Sequence, residues 1–243
     1  MPMPTPDAPQ WWSMLREIGA LQLIHVDLTP HACVEASAFS WLDESERARW
    51  RRFVYSGPRR RFALCRAALR SILCAQLGCV NPQLSFGYAC HGKPFALIGN
   101  DRAPVSFNVS HSDKRGLIVY ASQGQLGVDV EEYAPRRDME LLIGTVFGPN
   151  EQAHLALTHG RSKIRLFYKL WTIKEALIKA AGSGFSCDVA RFEVPPALRH
   201  GMTGAFVFPQ RPTKAWQVEY IGNDEFAGSV AYEISSDAGD IDG

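Results

Sequence analysis

Apolar and polar positions along the chain divide it into segments of two different periods. From Phe62 to Leu73 the apolar residues Phe62, Cys65, Leu69, Ile72 and Leu73 recur at helical spacing. The segment opens near Gly57-Pro58 and stops at Gly78, so it reads as one long helix. A second stripe (Leu166, Leu170, Ile173, Leu177 and Ala180) predicts another long helix, from about Ser162 to Ala181, closed by Gly182-Ser183-Gly184. Its adjoining face holds Trp171, Lys174, Glu175, Ile178 and Lys179. Shorter helices are predicted after Asp43-Glu44-Ser45-Glu46, where acids lead and arginines follow as the helix dipole favours, and near Asn150-Glu151. Alternating or short apolar runs predict strands at 21–28, 84–86, 106–112, 116–121, 126–131, 205–208, 216–221 and 226–234. Ser122-Gln123-Gly124-Gln125 reads as a turn pairing 116–121 with 126–131 in a hairpin.

The order of elements repeats. An acid-led helix, a basic connector and a long amphipathic helix ended by glycine occur at 43–78 and again at 149–182. The expected fold class is therefore α+β, built of two similar halves related by a pseudo-twofold, with the ligand site in the crevice between them. The expected divisions are a flexible N-terminus over 1–15, halves over 16–122 and 123–235, and a flexible tail over 236–243.

Composition narrows the classes. A chain of 243 residues, 46% hydrophobic and 21% charged, buries a large core as a soluble protein does. A net charge of +1 gives no global attraction to nucleic acid or membrane. No apolar run approaches the ~18 residues of a membrane span, and Met1-Pro2-Met3-Pro4 lacks the plan of a secretory signal. The six cysteines are scattered, with no zinc-like spacing, so free thiols in a cytoplasmic protein are expected.

The chemistry centres on Gly127-Val128-Asp129-Val130-Glu131. Strand alternation sends Asp129 and Glu131 to one face, their Cα atoms about 7 Å apart, and sends Val128 and Val130 to the other, toward a core. Adjacent carboxylates repel and are costly to desolvate, which a hard divalent cation would relieve. Glu175 and Lys179 stand one helical turn apart beside Trp171. Asn108-Val109-Ser110-His111-Ser112 presents small polar groups and a histidine after an apolar run, suited to a phosphate. Gly92-Lys93-Pro94 places a lysine on a tight turn, and arginines cluster from Arg47 to Arg61, with Arg66 and Arg70 decorating the long helix beyond. Acids for a metal, donors for phosphates and a Lys–Glu pair are the parts phosphoryl transfer requires.

Taken in order, Gly92-Lys93-Pro94, Phe107-Asn108-Val109-Ser110-His111-Ser112, Gly127-Val128-Asp129-Val130-Glu131 and the run Trp171-Thr172-Ile173-Lys174-Glu175-Ala176-Leu177-Ile178-Lys179 resemble the phosphopantetheinyl transferase superfamily. The likeness is to its large, pseudo-dimeric bacterial type, which activates surfactin synthetase and similar assembly lines, and it covers about residues 40 to 190. The resemblance implies transfer of phosphopantetheine from coenzyme A to a serine of an apo acyl or peptidyl carrier protein, releasing adenosine 3',5'-bisphosphate. It implies Mg²⁺, with Mn²⁺ as the alternative, held by Asp129, Glu131 and Glu175. Lys179 would contact phosphate and share in proton transfer; Arg61, Lys93, Ser110 and His111 would contact the coenzyme. Glu175 or Glu151 would be the base. A monomer is expected, with Arg136, Arg137, Val146 and Phe147 as the carrier-docking patch. Two rival readings are a metal-dependent phosphodiesterase, which needs a broader basic stripe, and a coenzyme A-binding module, which needs no acids.

Overall fold

Ile24, Val26, Cys65, Leu69, Ile72 and Leu73, apolar positions read from the pattern, meet with Phe107 and Ile118 in one core of the N-terminal part of the chain. The computed structural model describes residues 10–89, 91–182 and 192–234, in two compact units that divide after Gln123. The expected tail at 236–243, the first nine residues and Ser183-Gly184 lie outside the described residues.

The first unit runs β1 (Trp12–Ile18), β2 (Leu21–Asp27), α1 (Ala32–Trp41), α2 (Glu44–Arg51), α3 (Ser56–Leu77), a 3-10 turn at Asn81–Gln83, β3 (Leu84–Tyr88), β4 (Pro94–Ile98), β5 (Asp101–Arg102), β6 (Ser106–His111) and β7 (Arg115–Ala121). Its main sheet has the antiparallel order β1-β2-β7-β6, with a smaller sheet β3-β4-β5. The expected flexible N-terminus reaches too far. Trp12 to Leu15 belong to β1, and the buried Trp11 indole donates to Leu64 O at 3.2 Å.

Arginines expected to decorate the second helix are built into the fold. Arg70 is 1% exposed. Its guanidinium donates to Asp43 and Glu46, both at 3.1 Å, to Asn81 Oδ1 at 2.6 Å and to Leu84 O at 2.8 Å. Asp43 and Glu46 also form the reciprocal cap of α2, so this cap is tied to α3 through one buried cation. Arg66 lies over the Phe86 ring at 4.3 Å and pairs with Glu46 at 3.5 Å.

The second unit runs β8 (Leu126–Glu132), α4 (Met139–Val146), α5 (Pro149–Ala156), α6 (Gly160–Ala181), α7 (Pro196–His200), β9 (Thr203–Val207), β10 (Ala215–Tyr220) and β11 (Phe226–Glu233). Its antiparallel sheet has the order β8-β11-β10-β9. The hairpin expected across Ser122–Gln125 does not form: β7 pairs with β2 and β6, whereas β8 pairs with β11. Chain adjacency suggested that hairpin, but the partner β8 takes comes about a hundred residues later.

Each unit thus holds a 22-residue helix against a four-stranded antiparallel sheet, as an α+β duplication requires. Each helix ends on a left-handed glycine, Gly78 and Gly182, both at φ 64°.

Helix α6 and strand β8 touch at Gly127. A Cβ there would collide with Ala176 O and Ala180 N and stand 2.9 Å from the Lys179 carbonyl carbon. Only glycine admits this approach. Gly127→Ala should push helix and strand apart and lower stability by about 3 kcal/mol, read as a fall in the urea midpoint at unchanged m. A loss below about 0.5 kcal/mol would show that the approach is not tight.

Candidate functional site

The second half of α6 is buried almost all round. From Trp171 to Ala181 only Trp171, Glu175 and Lys179 are partly exposed, at i, i+4 and i+8, and they form a single stripe. A helix otherwise enclosed by core leaves its chemistry to that stripe. Trp171 stacks on Phe167 at 6.0 Å, which holds the top of the stripe in place.

Strand β8 is buried on both faces up to Val130, rather than only on the valine side. The acid face is the one that carries α6, since Gly127, Asp129 and Glu131 alternate along it. Asp129 is therefore only 4% exposed. Its cross-strand partner is Ser229, whose hydroxyl stands 2.9 Å from Thr172 Oγ1 of α6. Lys179 reaches across the Gly127 contact, and its Nζ donates to Asp129 Oδ1 at 2.6 Å and to Val128 O at 3.2 Å.

Burial, and then the Asp129 carboxylate, push the Glu175 carboxyl above its usual range, with Lys179 opposing. The structure thus brings Asp129, Glu175 and Lys179 together. Glu131, two residues further along, lies within electrostatic reach of Arg136 and the Tyr168 hydroxyl. Among the described residues no group of three His, Cys, Asp or Glu side chains stands ready as a metal centre. The donor chemistry nevertheless fits a hard divalent cation. Burial and the nearby Asp129 carboxylate raise the cost of ionising Glu175, and a cation would relieve it.

Glu151 is elsewhere in chemical terms. It is 0% exposed. Its Oε2 accepts from Gly148 N at 2.9 Å and from Lys174 Nζ at 2.8 Å, and its Oε1 accepts from Val194 N at 2.7 Å. Among the described residues this carboxylate is fully enclosed and bonded to three donors, which weighs against the base role expected for it. Lys174, expected on the same adjoining face as Glu175 and Lys179, is likewise 0% exposed. Burial pulls its ammonium below the ordinary range, against the neighbouring Glu151 charge. A signal for this was present: Leu170, Leu177 and Ile178 stand four before, three after and four after it, so its position is on the core side.

In the first unit, Ser110 and His111 lie on β6, an edge of the main sheet, and not in a loop after it. Ser110 is buried with Asn108, while His111 is exposed at the strand's end. Arg61 of α3 reaches the turn just beyond, 3.6 Å from Asp113. Lys93 sits in the turn between β3 and β4, where burial pulls its pKa down to about 8.

The expected docking patch needs revision. Phe147 is 1% exposed and belongs to the core, with Val146 packed against it. Arg136 is exposed and grips Asp138 through two bonds of 3.0 and 2.9 Å, and Arg137 is exposed. The apolar surface of this region is instead Leu141 of α4, 68% exposed.

Residues 125–231 match the family described as the 4'-phosphopantetheinyl transferase superfamily. Residues 29–124 match the one described as 4'-phosphopantetheinyl transferase, N-terminal. The chain is similar to the 4'-phosphopantetheinyl transferase HetI of Nostoc sp., 37% identical over 191 residues that cover 78% of each chain. A Synechocystis sp. relative, provisionally named a 4'-phosphopantetheinyl transferase, is 39% identical over 145 residues, 60% of this chain and 58% of its own length. The 4'-phosphopantetheinyl transferase of Bacillus subtilis is 27% identical over 177 residues, 70% of this chain and 74% of its own.

Proposed function

The chain belongs to the 4'-phosphopantetheinyl transferase superfamily of enzymes, and from that premise we propose that it moves phosphopantetheine from coenzyme A to a serine of an apo carrier protein. Adenosine 3',5'-bisphosphate would leave. The observation that carries this reading is the meeting of Asp129, Glu175 and Lys179 where α6 crosses β8.

A serine hydroxyl is a poor nucleophile and must lose its proton as it attacks the β-phosphate. Glu175 is the base of choice, because its carboxyl is raised toward working pH and its side chain is partly exposed, as Glu151 is not. Asp129 and Glu175, with Glu131 along the strand, would hold Mg²⁺ or Mn²⁺. That cation, when bound, neutralises charge on the pyrophosphate and on the leaving group. Lys179, 2.6 Å from Asp129 Oδ1, adds positive charge at the same place. Arg61, Lys93, Ser110 and His111 would bind the coenzyme's phosphates and ribose. The proposed carrier is an acyl or peptidyl carrier of fatty-acid, polyketide or peptide synthesis, and a cytoplasmic monomer is the proposed form; among the described residues no helix is long and apolar enough to cross a membrane.

The test is incubation with coenzyme A, Mg²⁺ and an apo carrier protein. A carrier mass increase of one phosphopantetheine supports the reading, and an unmodified carrier overturns it. Two finer expectations follow. Lys93 loses its proton as pH rises through about 8, so coenzyme A affinity should weaken above that pH by up to about tenfold per unit. Titration by calorimetry in the Lys93→Arg variant should lack this decline, since arginine stays charged. An equal decline in both would remove Lys93 from the coenzyme site. Charge reversal at Arg136 and Arg137 should raise carrier KM about tenfold and leave the coenzyme A KM unchanged; an unchanged carrier KM would discard the patch.

A further inference from the structure

Helix α3 ends in a turn where two cysteines face each other. Gly78 takes the left-handed conformation that stops the helix, and its N–H donates to Cys74 O. The next amide, Cys79 N, donates to the same carbonyl at 3.1 Å. This is the six-to-one bond of a Schellman ending, in which the residue after the glycine packs on the residue five before it. A hydrophobic contact between the two frequently accompanies such an ending. Here both are cysteines, and the Cys79 side chain lies close enough to push the Cys74 thiol up. Both are reduced in the structure; Cys74 is buried and Cys79 half-buried at the edge of the core.

We propose that Cys74 and Cys79 form a redox-active dithiol that closes to an intramolecular disulfide when the chain meets a small-molecule disulfide such as oxidised glutathione. The helix ending supplies what a disulfide needs, two side chains held side by side by the backbone. The two thiols differ in access, which sets the order of events. Burial, with Cys79 adding to it, pushes the Cys74 thiol up to about 12, so Cys74 does not open the reaction. The more accessible Cys79, as thiolate, attacks one sulfur of oxidised glutathione. The glutathione S–S bond breaks, one glutathione thiolate leaves, and a mixed disulfide stands on Cys79. Cys74 then gives its proton to solvent and attacks the Cys79 sulfur, expelling the second glutathione. Two thiols are oxidised and one glutathione disulfide is reduced. Neither cysteine belongs to the proposed transfer site, so this inference stands apart from that reading.

The experiment uses the full chain in oxidised and reduced glutathione mixtures of increasing ratio, quenched with an alkylating agent and read by intact and peptide mass. The expected result is loss of two hydrogens and of two alkylation sites, mapped to a Cys74–Cys79 bond. Cys74→Ser should instead accumulate a glutathione adduct on Cys79. Free alkylation of both residues at the most oxidising ratio would overturn the proposal. So would a Cys79 adduct in the wild-type chain that never closes, or closure to any other cysteine.

Discussion

Lys174→Met is expected to destabilise the second unit by about 3–5 kcal/mol, because it strips the counter-charge from a fully buried carboxylate. Three acceptors surround the Lys174 ammonium: Glu151 Oε2 at 2.8 Å, Val146 O at 3.0 Å and Phe192 O at 2.7 Å. The Phe147 and Phe192 rings lie 5.4 and 4.9 Å from it. The cation therefore joins α6 to the end of α4, the start of α5 and the 192–194 segment. Methionine matches the length and apolar stem but leaves the buried Glu151 carboxyl without its partner. The thermal midpoint should fall by about 10–20 °C. Lys174→Met combined with Glu151→Gln should recover part of the loss, since no isolated charge remains. If the single variant melts within a degree or two of wild type, the pair is not the tie described.

The second large effect is on activity alone. Asp129→Asn keeps size and removes charge, so the fold should hold while carrier modification falls by on the order of 10³-fold. Glu175→Gln should do the same. Glu151→Gln should behave differently: it should lose stability but keep its rate per folded molecule. Transfer assays normalised to the folded fraction separate these cases. Near-wild-type transfer by Asp129→Asn would sink the proposed centre, and a rate collapse in well-folded Glu151→Gln would return the base role to that residue.

Much of the scaffold was legible because its periods are strong. The α6 stripe, its glycine stop and the β8, β10 and β11 runs stand close to where the apolar spacing puts them. The acid pair and the Glu175–Lys179 turn could be read for the same reason: they sit on elements with clear faces. What escaped depended on distant partners. Strand β1 shows five exposed positions in a row, Ser13 to Glu17, and such an edge carries no alternation to read. Arg70 looked like a helix decoration because its partners, Asp43 and Asn81, lie elsewhere in the chain, and Lys174, although flanked by leucines at helical spacing, gave no local sign of its acceptors Glu151 and Phe192. A local pattern prices a charge as solvated; only the tertiary fold supplies the acceptors that let it be buried.

The Gly127 crossing also fixes when the centre comes into being. Asp129 and Lys179 are 50 positions apart in the chain, and β8 waits for β11, with the Phe226–Glu233 strand made last. Contacts of such long range form late, after the loop-closure entropy between them has been spent. A chain still emerging or half collapsed holds separate acids and a separate lysine, and no reaction centre. The proposed transfer activity should therefore not appear during refolding before the second unit's topology is complete.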